Sequence, residues 1–414
     1  MVSRWLLTGA IAALTLATAQ ADETIVVTAI PLSETEAKLA ACLAQGCAPD
    51  ADIAASLAHA ENQFIAGKYG AARSTLVAAL GRNRKHKAEY PVPVSDLLRA
   101  NARVAEHMGE ARAFRTSTLD MRDVLRSAFG ADAPRALAAQ IEVGDSRAKL
   151  GYPDEAHRIY SEVEERARAA DQPRIAAFAQ LRQGALAVTL ANASKLPGDR
   201  LAASKRLRPL AENTDPALRD FRLAANVLSA RMASRTGDQR AVAALVAEFA
   251  AEGGAERPVL LYEAPLVTKY NFGRGADEIL DNGLGALVFP NATPVGQTTR
   301  RTNTLLRPDE WADVGFWVNA DGRVSEAEVL RASGPEDWTQ PVLANLAQRV
   351  YAPLKRADGD VSPGHYLIER YTLTATWVDD PRGTTGTRLR KRDAIARIER
   401  IDITPDAPVR VAAR

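Results

Sequence analysis

Long hydrophobic runs are scarce in this sequence of 414 residues. The apolar run over residues 5–17 is too short for the roughly 20 residues that a membrane-spanning helix needs, and no later stretch is long and apolar enough. The formal net charge is only +2, from 53 basic and 51 acidic residues. Such a balance gives no reason to expect a nucleic-acid partner. We therefore expect the mature chain to be soluble, with no transmembrane span and no nucleic acid bound.

Side chains that carry catalytic chemistry are also few. The sequence has five histidines, at His59, His86, His107, His157 and His365. None of them lies in a His-Glu-x-x-His motif, and neither a Gly-x-Ser-x-Gly nor a phosphate-loop pattern occurs. We therefore predict no catalytic residue, no metal site and no cofactor. A Ser-His-Asp site assembled by folding stays open, and with it the alternative of an envelope hydrolase.

Only two cysteines are present, Cys42 and Cys47, separated by Leu-Ala-Gln-Gly. The spacing predicts a local disulfide if the chain is exported, because oxidising compartments permit such bonds. Free, buried thiols are the alternative. A metal site would need more ligands than this segment offers.

The N-terminus has the order of a secretory signal peptide. Arg4 supplies the positive charge, residues 5–17 form the apolar run, and Ala19 and Ala21 occupy the positions read by a signal peptidase. We predict cleavage after Ala21 and location in a bacterial periplasm, with association with the outer membrane as a further option. A retained membrane anchor is the alternative.

Residues 50–252 are predicted to be a series of helical hairpins. The segment is rich in strong helix formers, and glycines recur every 42 residues, at Gly67, Gly109 and Gly151. An apolar or aromatic residue follows five positions after each glycine: Ala72, Phe114 or Ala156. The pattern resembles the tetratricopeptide family, although that family's usual period is about 34 residues. An irregular helical array is the alternative, and either form offers a curved surface that suits a peptide.

The pattern changes to strands after residue 308. Alternating apolar residues predict strands over 312–318 and 324–331, joined by a tight turn over 319–322. A helix over 338–350 and a long strand over 366–378 follow. Because a helix connects the second and third strands, these two should be parallel with the first strand between them. The third strand is then expected at the edge of the sheet, with unpaired backbone groups.

Residues 308–378 resemble the TonB C-terminal domain. The likeness rests on the hairpin around Asn319-Ala320-Asp321-Gly322, on Ser333-Gly334, and on the aromatic-x-Pro step at Tyr351-Ala352-Pro353. The resemblance implies a non-enzymatic domain that pairs an edge strand with a short segment of an outer-membrane receptor. On this reading the partner-binding residues of the third strand are Arg370, Thr372 and Thr374. A module kept only for packing or oligomerisation is the alternative.

The segment after the predicted cleavage site resembles the TonB box of outer-membrane receptors. It begins Asp22-Glu23 and continues with the predicted partner-binding residues Thr24, Ile25, Val26, Val27 and Thr28. Its β-branched side chains favour an extended strand that can add to a sheet edge. The partner would be a TonB-type domain, an outer-membrane receptor or a copy of this chain. The alternative is an edge strand or frayed tail of the same protein.

Together these patterns predict an α+β multidomain protein. An all-α, tetratricopeptide-like array would be followed by a small TonB-like module with the order strand-strand-helix-strand. The predicted boundaries are 1–21 for the signal peptide, 22–49 for an extended segment, 50–252 for the helical repeats, 253–307 for an irregular linker, 308–378 for the module and 379–414 for a basic tail. The predicted function is a protein-binding scaffold of the envelope, accessory to TonB-dependent transport across the outer membrane.

Overall fold

The chain combines a long helical part with an antiparallel sheet, as the α+β prediction requires. A computed structural model describes residues 31–264, 266, 310–334, 338–356, 364–378 and 391–405, with the side chains of 374–378 and 391–397 left out. The described residues up to Thr404 belong to one compact unit. No helix in these ranges has both the length and the apolarity to cross a membrane. The predicted signal peptide and the box-like residues 24–28 lie outside the described residues.

Helices follow one another along the first part of the chain, and each packs on its neighbours in sequence. They are Leu32–Gln45 (α1), Pro49–Ile65 (α2), Tyr69–Asn83 (α3), Pro91–His107 (α4), Ala111–Phe129 (α5), Pro134–Lys149 (α6), Pro153–Ala169 (α7), Pro173–Ser194 (α8), Pro197–Ala211 (α9), Arg219–Ser234 (α10) and Arg240–Ala251 (α11). Proline begins many of these helices, where its fixed φ suits the first turn and its missing N–H removes no helical hydrogen bond.

The three evenly spaced glycines each lie in the turn between two consecutive helices. Gly67, Gly109 and Gly151 have φ values of +75°, +72° and +83°. After Gly67, the N–H of Lys68 donates to the carbonyl of Gln63 at 2.8 Å, which is the hydrogen bond of a Schellman C-cap. The residues five positions after these glycines are buried: Ala72, Phe114 and Ala156.

The first helix corrects one prediction. An extended segment was expected over 22–49, but its described part forms α1. This helix packs on α2, and the Thr35 hydroxyl lies 3.0 Å from Nδ1 of the buried His59. A surface pair between Glu34 and Lys38, one turn apart, adds a small stabilisation.

The predicted disulfide joins Cys42 to Cys47, with their Cα atoms 5.2 Å apart. It forms at the end of α1, where Gly46 adopts a left-handed φ of +63°. The N–H of Cys47 donates to the carbonyl of Cys42 at 3.1 Å. The glycine therefore turns the chain back far enough for the two sulfur atoms to meet.

The sheet has four described strands: Glu310–Asn319 (β2), Val324–Ser333 (β3), Gly364–Val378 (β5) and Lys391–Asp402 (β6). Their order in the sheet is β3-β2-β5-β6, and each neighbouring pair is antiparallel. The short strands Leu260–Tyr262 (β1) and Val350–Tyr351 (β4) form a separate pair. As predicted, β2 lies between the strands before and after the connecting helix, and those two strands are parallel.

The prediction that β5 lies at the sheet edge is wrong. Arg370 pairs with Asp313 of β2 on one side and with Ile401 of β6 on the other, and Thr372 pairs likewise with Trp311 and Glu399. Thr374 pairs with Arg397. The covering strand β6 comes from the segment predicted as a basic tail over 379–414. It joins the sheet because Ile398 reaches the core and Arg400 meets buried carboxylates.

The connecting helix is also shorter than predicted. It covers Gln340–Leu346 (α12), whereas the apolar stripe predicted a helix over 338–350. After Leu346 the side chain of Arg349 turns into a buried acidic cluster, and β4 pairs with β1. One face of the sheet packs on α12, in a core that includes Phe316, Trp338, Val342, Leu346, Leu367, Tyr371 and Leu373.

Candidate interaction sites

Arg370, a predicted partner-binding residue, binds the C-terminal end of α2 in its own chain. Its guanidinium is fully buried and donates to both carboxylate oxygens of Asp313, at 2.5 and 2.8 Å. The same group donates to the carbonyls of Phe64 and Ile65 at 2.7 and 2.6 Å. These carbonyls belong to the last turn of α2, beyond the regular helical hydrogen bonds, and that of Phe64 also accepts from the N–H of Gly67 at 2.9 Å. A cation here also interacts favourably with the helix dipole.

Aromatic side chains surround this contact. The Trp311 ring centre lies 4.1 Å from the Arg370 guanidinium carbon, within the range of a cation–π interaction. The indole packs directly on Gly67, where a Cβ atom would overlap it. Thr372, the second predicted partner-binding residue of this strand, lies 3.1 Å from the Tyr69 hydroxyl. We call this contact between β2, β5 and the α2–α3 turn the hairpin clamp.

The predicted binding face of β5 is therefore occupied by an intramolecular partner. Arg370 and Thr372 lie on the face of β5 opposite Leu367 and Tyr371, and that face is buried against helices. Both residues are at most 1% exposed. For Thr374 only the backbone pairing is described. The five box-like residues 24–28, predicted to meet such a strand, lie outside the described residues.

A second buried cluster joins the other side of the sheet to Glu263, which directly follows β1. Arg349, which is fully buried, donates to Glu369 at 2.8 Å and also binds Glu263. Arg400 of β6 lies 3.0 Å from Glu263 and 3.7 Å from Glu369. The hydroxyl of Tyr371 donates to Glu369 at 2.6 Å. We call these five residues the acidic-basic cluster.

The charges in the acidic-basic cluster control how its members ionise. Burial on its own would raise the pKa of Glu369, but the nearby charges of Arg400 and Arg349 outweigh it and lower that pKa. Burial and the Glu369 charge both raise the pKa of Tyr371 well above its usual range. At neutral pH Glu369 is therefore ionised beside two guanidinium groups, and the Tyr371 phenol is neutral. Because the buried charges of the cluster are paired with one another, none of them remains uncompensated.

The free edge of the described sheet nearest β5 is the outer side of β6. The N–H of Ile403 donates to the carbonyl of Ile368 at 2.9 Å. This hydrogen bond shows which residues at the end of β6 direct their N–H groups toward β5. In an antiparallel ladder the inward N–H groups occur at every second residue. Those of Glu399 and Ile401 therefore face β5, and those of Ile398, Arg400 and Asp402 face outward.

The opposite edge of the described sheet, β3, suits pairing less well. Its register against β2 shifts twice, and Glu326 has a φ of +51°. Bulges of this kind twist an edge strand away from a straight partner. The segment Ala396–Asp402 of β6, in contrast, pairs with β5 without a shift.

Sequence reasoning missed Asp313, Arg349, Glu369 and Arg400 as structural ion-pair residues. A signal was present in the strands, since Asp313 stands among the apolar residues of β2 and Glu369 shares a strand face with Leu367 and Tyr371. A charge in such a position has to meet a partner when the strand is buried. Within the described ranges, no group of His, Cys, Asp and Glu side chains has a geometry that suits a metal ion.

No protein-family model matches this chain, and no curated protein matches it either. Among solved structures, the crystal structure of BtubC (BKLC) from P. vanneervenii is similar over 55% of this chain and 91% of that chain. The sequence identity is 15% and the TM-score is 0.37. A similarity at this level supports no conclusion about function.

Proposed function

We propose that this chain is an exported scaffold of a bacterial envelope that binds other proteins by strand pairing at the outer edge of β6. The observation that carries the proposal is the row of outward N–H groups on Ile398, Arg400 and Asp402. An extended segment can add to such an edge with main-chain hydrogen bonds, and pockets for alternate side chains give selectivity. On this proposal the partner pairs with β6 and not with β5, because β6 covers β5.

The nature of the two parts supports this role. The glycine turns at 42-residue spacing agree with a tetratricopeptide-like array, in which each hairpin packs on its neighbours. The strand order β3-β2-β5, with α12 between β3 and β5, agrees with a TonB-like module. The additional strand β6 departs from the module inferred from the sequence and provides a new edge.

A periplasmic location is part of the proposal. The predicted signal peptide over 1–21 and the disulfide between Cys42 and Cys47 are both typical of exported proteins. In that compartment the partner strand would come from an outer-membrane receptor, from a TonB-type domain or from residues 24–28 of a second copy. The chain would then act as an accessory to outer-membrane transport.

Amide hydrogen exchange on the full mature chain tests the pairing directly. The probe is a synthetic peptide with the sequence of residues 22–29, and its control carries Val26→Pro, which removes one N–H and disfavours a paired strand. We expect the peptide to slow exchange at Ile398, Arg400 and Asp402. The inward amides of Glu399 and Ile401 act as internal references, because β5 protects them with or without the peptide.

Two results would contradict the proposal. One is unchanged exchange at the three outward amides at saturating peptide. The other is equal protection by the Val26→Pro peptide, which would mean that strand pairing is not the mode of binding. Removing residues 22–29 from the mature chain tests the box-like reading separately, since unchanged binding to an isolated TonB-type domain would exclude that segment as the ligand.

A further inference from the structure

A cavity of about 810 Å³ lies between the last helices and the segment that leads into the sheet. Helices α8, α10 and α11 form one side, and residues 254–260 together with Lys355 form the other. Its volume is within the range of about 300–1,000 Å³ that is usual for small-molecule sites. Much of the wall is apolar and comes from Leu181, Leu223, Val227, Leu228, Phe249 and Leu260.

Three of the cations that line this cavity are already engaged by the protein. Arg182 donates to Asp145 at 2.7 Å. Arg219 forms an ion pair with Glu252, and Arg231 donates to the backbone carbonyl of Leu260. These three side chains therefore connect parts of the cavity wall, and we do not expect them to bind a ligand.

Two other cations at the rim are exposed. Arg257 and Lys355 form no ion pair with a carboxylate among the described residues. Backbone hydrogen bonds bring their segments together, since Ala255 donates to the carbonyl of Pro353 at 2.7 Å and accepts from the N–H of Lys355 at 2.9 Å.

Three carboxylates also line the cavity: Asp220, Glu252 and Glu256. Glu252 pairs with Arg219, and Asp220 lies 3.4 Å from Arg174. Because five cations line the cavity against these three acids, the described lining keeps a net positive charge.

We propose that this cavity binds a small amphipathic carboxylic acid. The aliphatic chain lies against the apolar wall, and the carboxylate binds Arg257 and Lys355 at the rim. A carboxylate suits these donors because charge-assisted hydrogen bonds are the stronger ones. Among the described residues, the lining has no Asn or Gln side chain to hold a peptide backbone, and only Thr189 carries a neutral hydroxyl. An aliphatic acid therefore fits better than a peptide.

Calorimetry with dodecanoate and dodecanol on the full mature chain tests this site. We expect dodecanoate to bind, and the exposed double variant Arg257→Ala with Lys355→Ala to weaken its binding about tenfold or more. The double variant Lys85→Ala with Lys87→Ala removes the same charge elsewhere and should leave binding unchanged. Dodecanol, which lacks the charge, should bind more weakly and equally to all three proteins.

A second variant tests whether the ligand occupies the cavity itself. Ala224→Trp on α10 adds an indole to the wall and should abolish dodecanoate binding while the far-ultraviolet circular dichroism of the helices is kept. Retained dodecanoate binding in Ala224→Trp would overturn the proposal. Equal weakening in the two double variants would also overturn it, as would dodecanol binding as tightly as dodecanoate.

Discussion

Buried arginines mark the places where this chain joins segments that are far apart in sequence. Arg370 connects β5 to the end of α2, and Arg349 connects the segment after α12 to Glu263 and to β5. Both guanidinium groups are fully buried and fully paired. Removing one partner of such a pair leaves an uncompensated buried charge, which costs about 3–5 kcal/mol. These contacts therefore select one arrangement of the segments over others.

The pH dependence of stability should reveal Glu369. Its pKa in the folded protein is below its ordinary value of 4.5, so its ionised form stabilises the fold above that value. This contribution is lost as the pH falls through the lowered pKa. We expect Glu369→Gln to reduce the free energy of unfolding by about 3–5 kcal/mol at pH 7. The variant should also lose less stability on acidification than the parent chain, as measured by urea unfolding from pH 7 to pH 3.

Glu34→Gln is the matched control for that measurement. Glu34 forms an exposed pair with Lys38 on α1, and such pairs contribute no more than about 0.5 kcal/mol. Its unfolding curve should therefore follow that of the parent chain at each pH. Identical acid profiles for Glu369→Gln and the parent would exclude the proposed role of the acidic-basic cluster.

Arg370 and Thr372 were predicted to bind a partner strand, but they contact the helical part of their own chain. Strict alternation in β5 separates them from Leu367 and Tyr371, and the structure has the same separation. What alternation does not show is which surface each face meets. The partner atoms belong to Phe64 and Ile65, about 300 positions earlier in the chain. Only the three-dimensional packing brings them together.

At the scale of elements, local signals identified the strands that have regular patterns and missed β6. The turn at Asn319 and the alternation around it predicted β2 and β3, and the long run of Thr and apolar residues predicted β5. In β6, Arg397-Ile398-Glu399-Arg400-Ile401 fits either a helix or a strand by periodicity. Its pairing is decided by non-local contacts: Ile398 with the core and Arg400 with Glu263.

The covering role of β6 predicts what its removal does. A chain that ends at residue 390 loses the burial of Ile398, worth about 1.5–3 kcal/mol, and exposes the backbone edge of β5. We expect this truncation to lower the free energy of unfolding and to cause self-association. Urea unfolding and sedimentation velocity measure the two effects.

A chain that ends at residue 405 is the control, because it keeps β6 and lacks only the last nine residues. It should be as stable and as dispersed as the full mature chain. If the chain ending at residue 390 behaves in the same way as this control, β6 does not protect the edge of β5. The pairing of Arg370 and Thr372 with β6 would then contribute nothing measurable to the free energy of unfolding.

At the scale of the whole molecule, the helical part is attached to the sheet near both of its ends. The hairpin clamp holds the α2–α3 turn, while β1 pairs with β4 and Ala255 bonds to Pro353 near the other end. In a simple repeat array each repeat contacts only its nearest neighbours, so the free energy of unfolding is nearly a sum over the repeats. Here the sheet connects distant helices. We therefore expect the helices and the sheet to unfold together.

Gly67→Ala tests this coupling without leaving a buried charge unpaired. Its φ of +75° disfavours alanine, and the new Cβ would overlap the Trp311 indole. The strain of about 1–3 kcal/mol acts on the hairpin clamp. In the parent chain, near-ultraviolet circular dichroism of the tryptophans and far-ultraviolet circular dichroism of the helices should give one urea transition. In Gly67→Ala the midpoints of these two signals should separate.

Gly81→Ala is the control. Gly81 lies inside α3, and no atom lies within 4 Å of the new Cβ, so the substitution should raise the free energy of unfolding by about 1 kcal/mol and keep a single transition. Coincident transitions in Gly67→Ala would show that the contacts at the other end couple the helices to the sheet without the hairpin clamp.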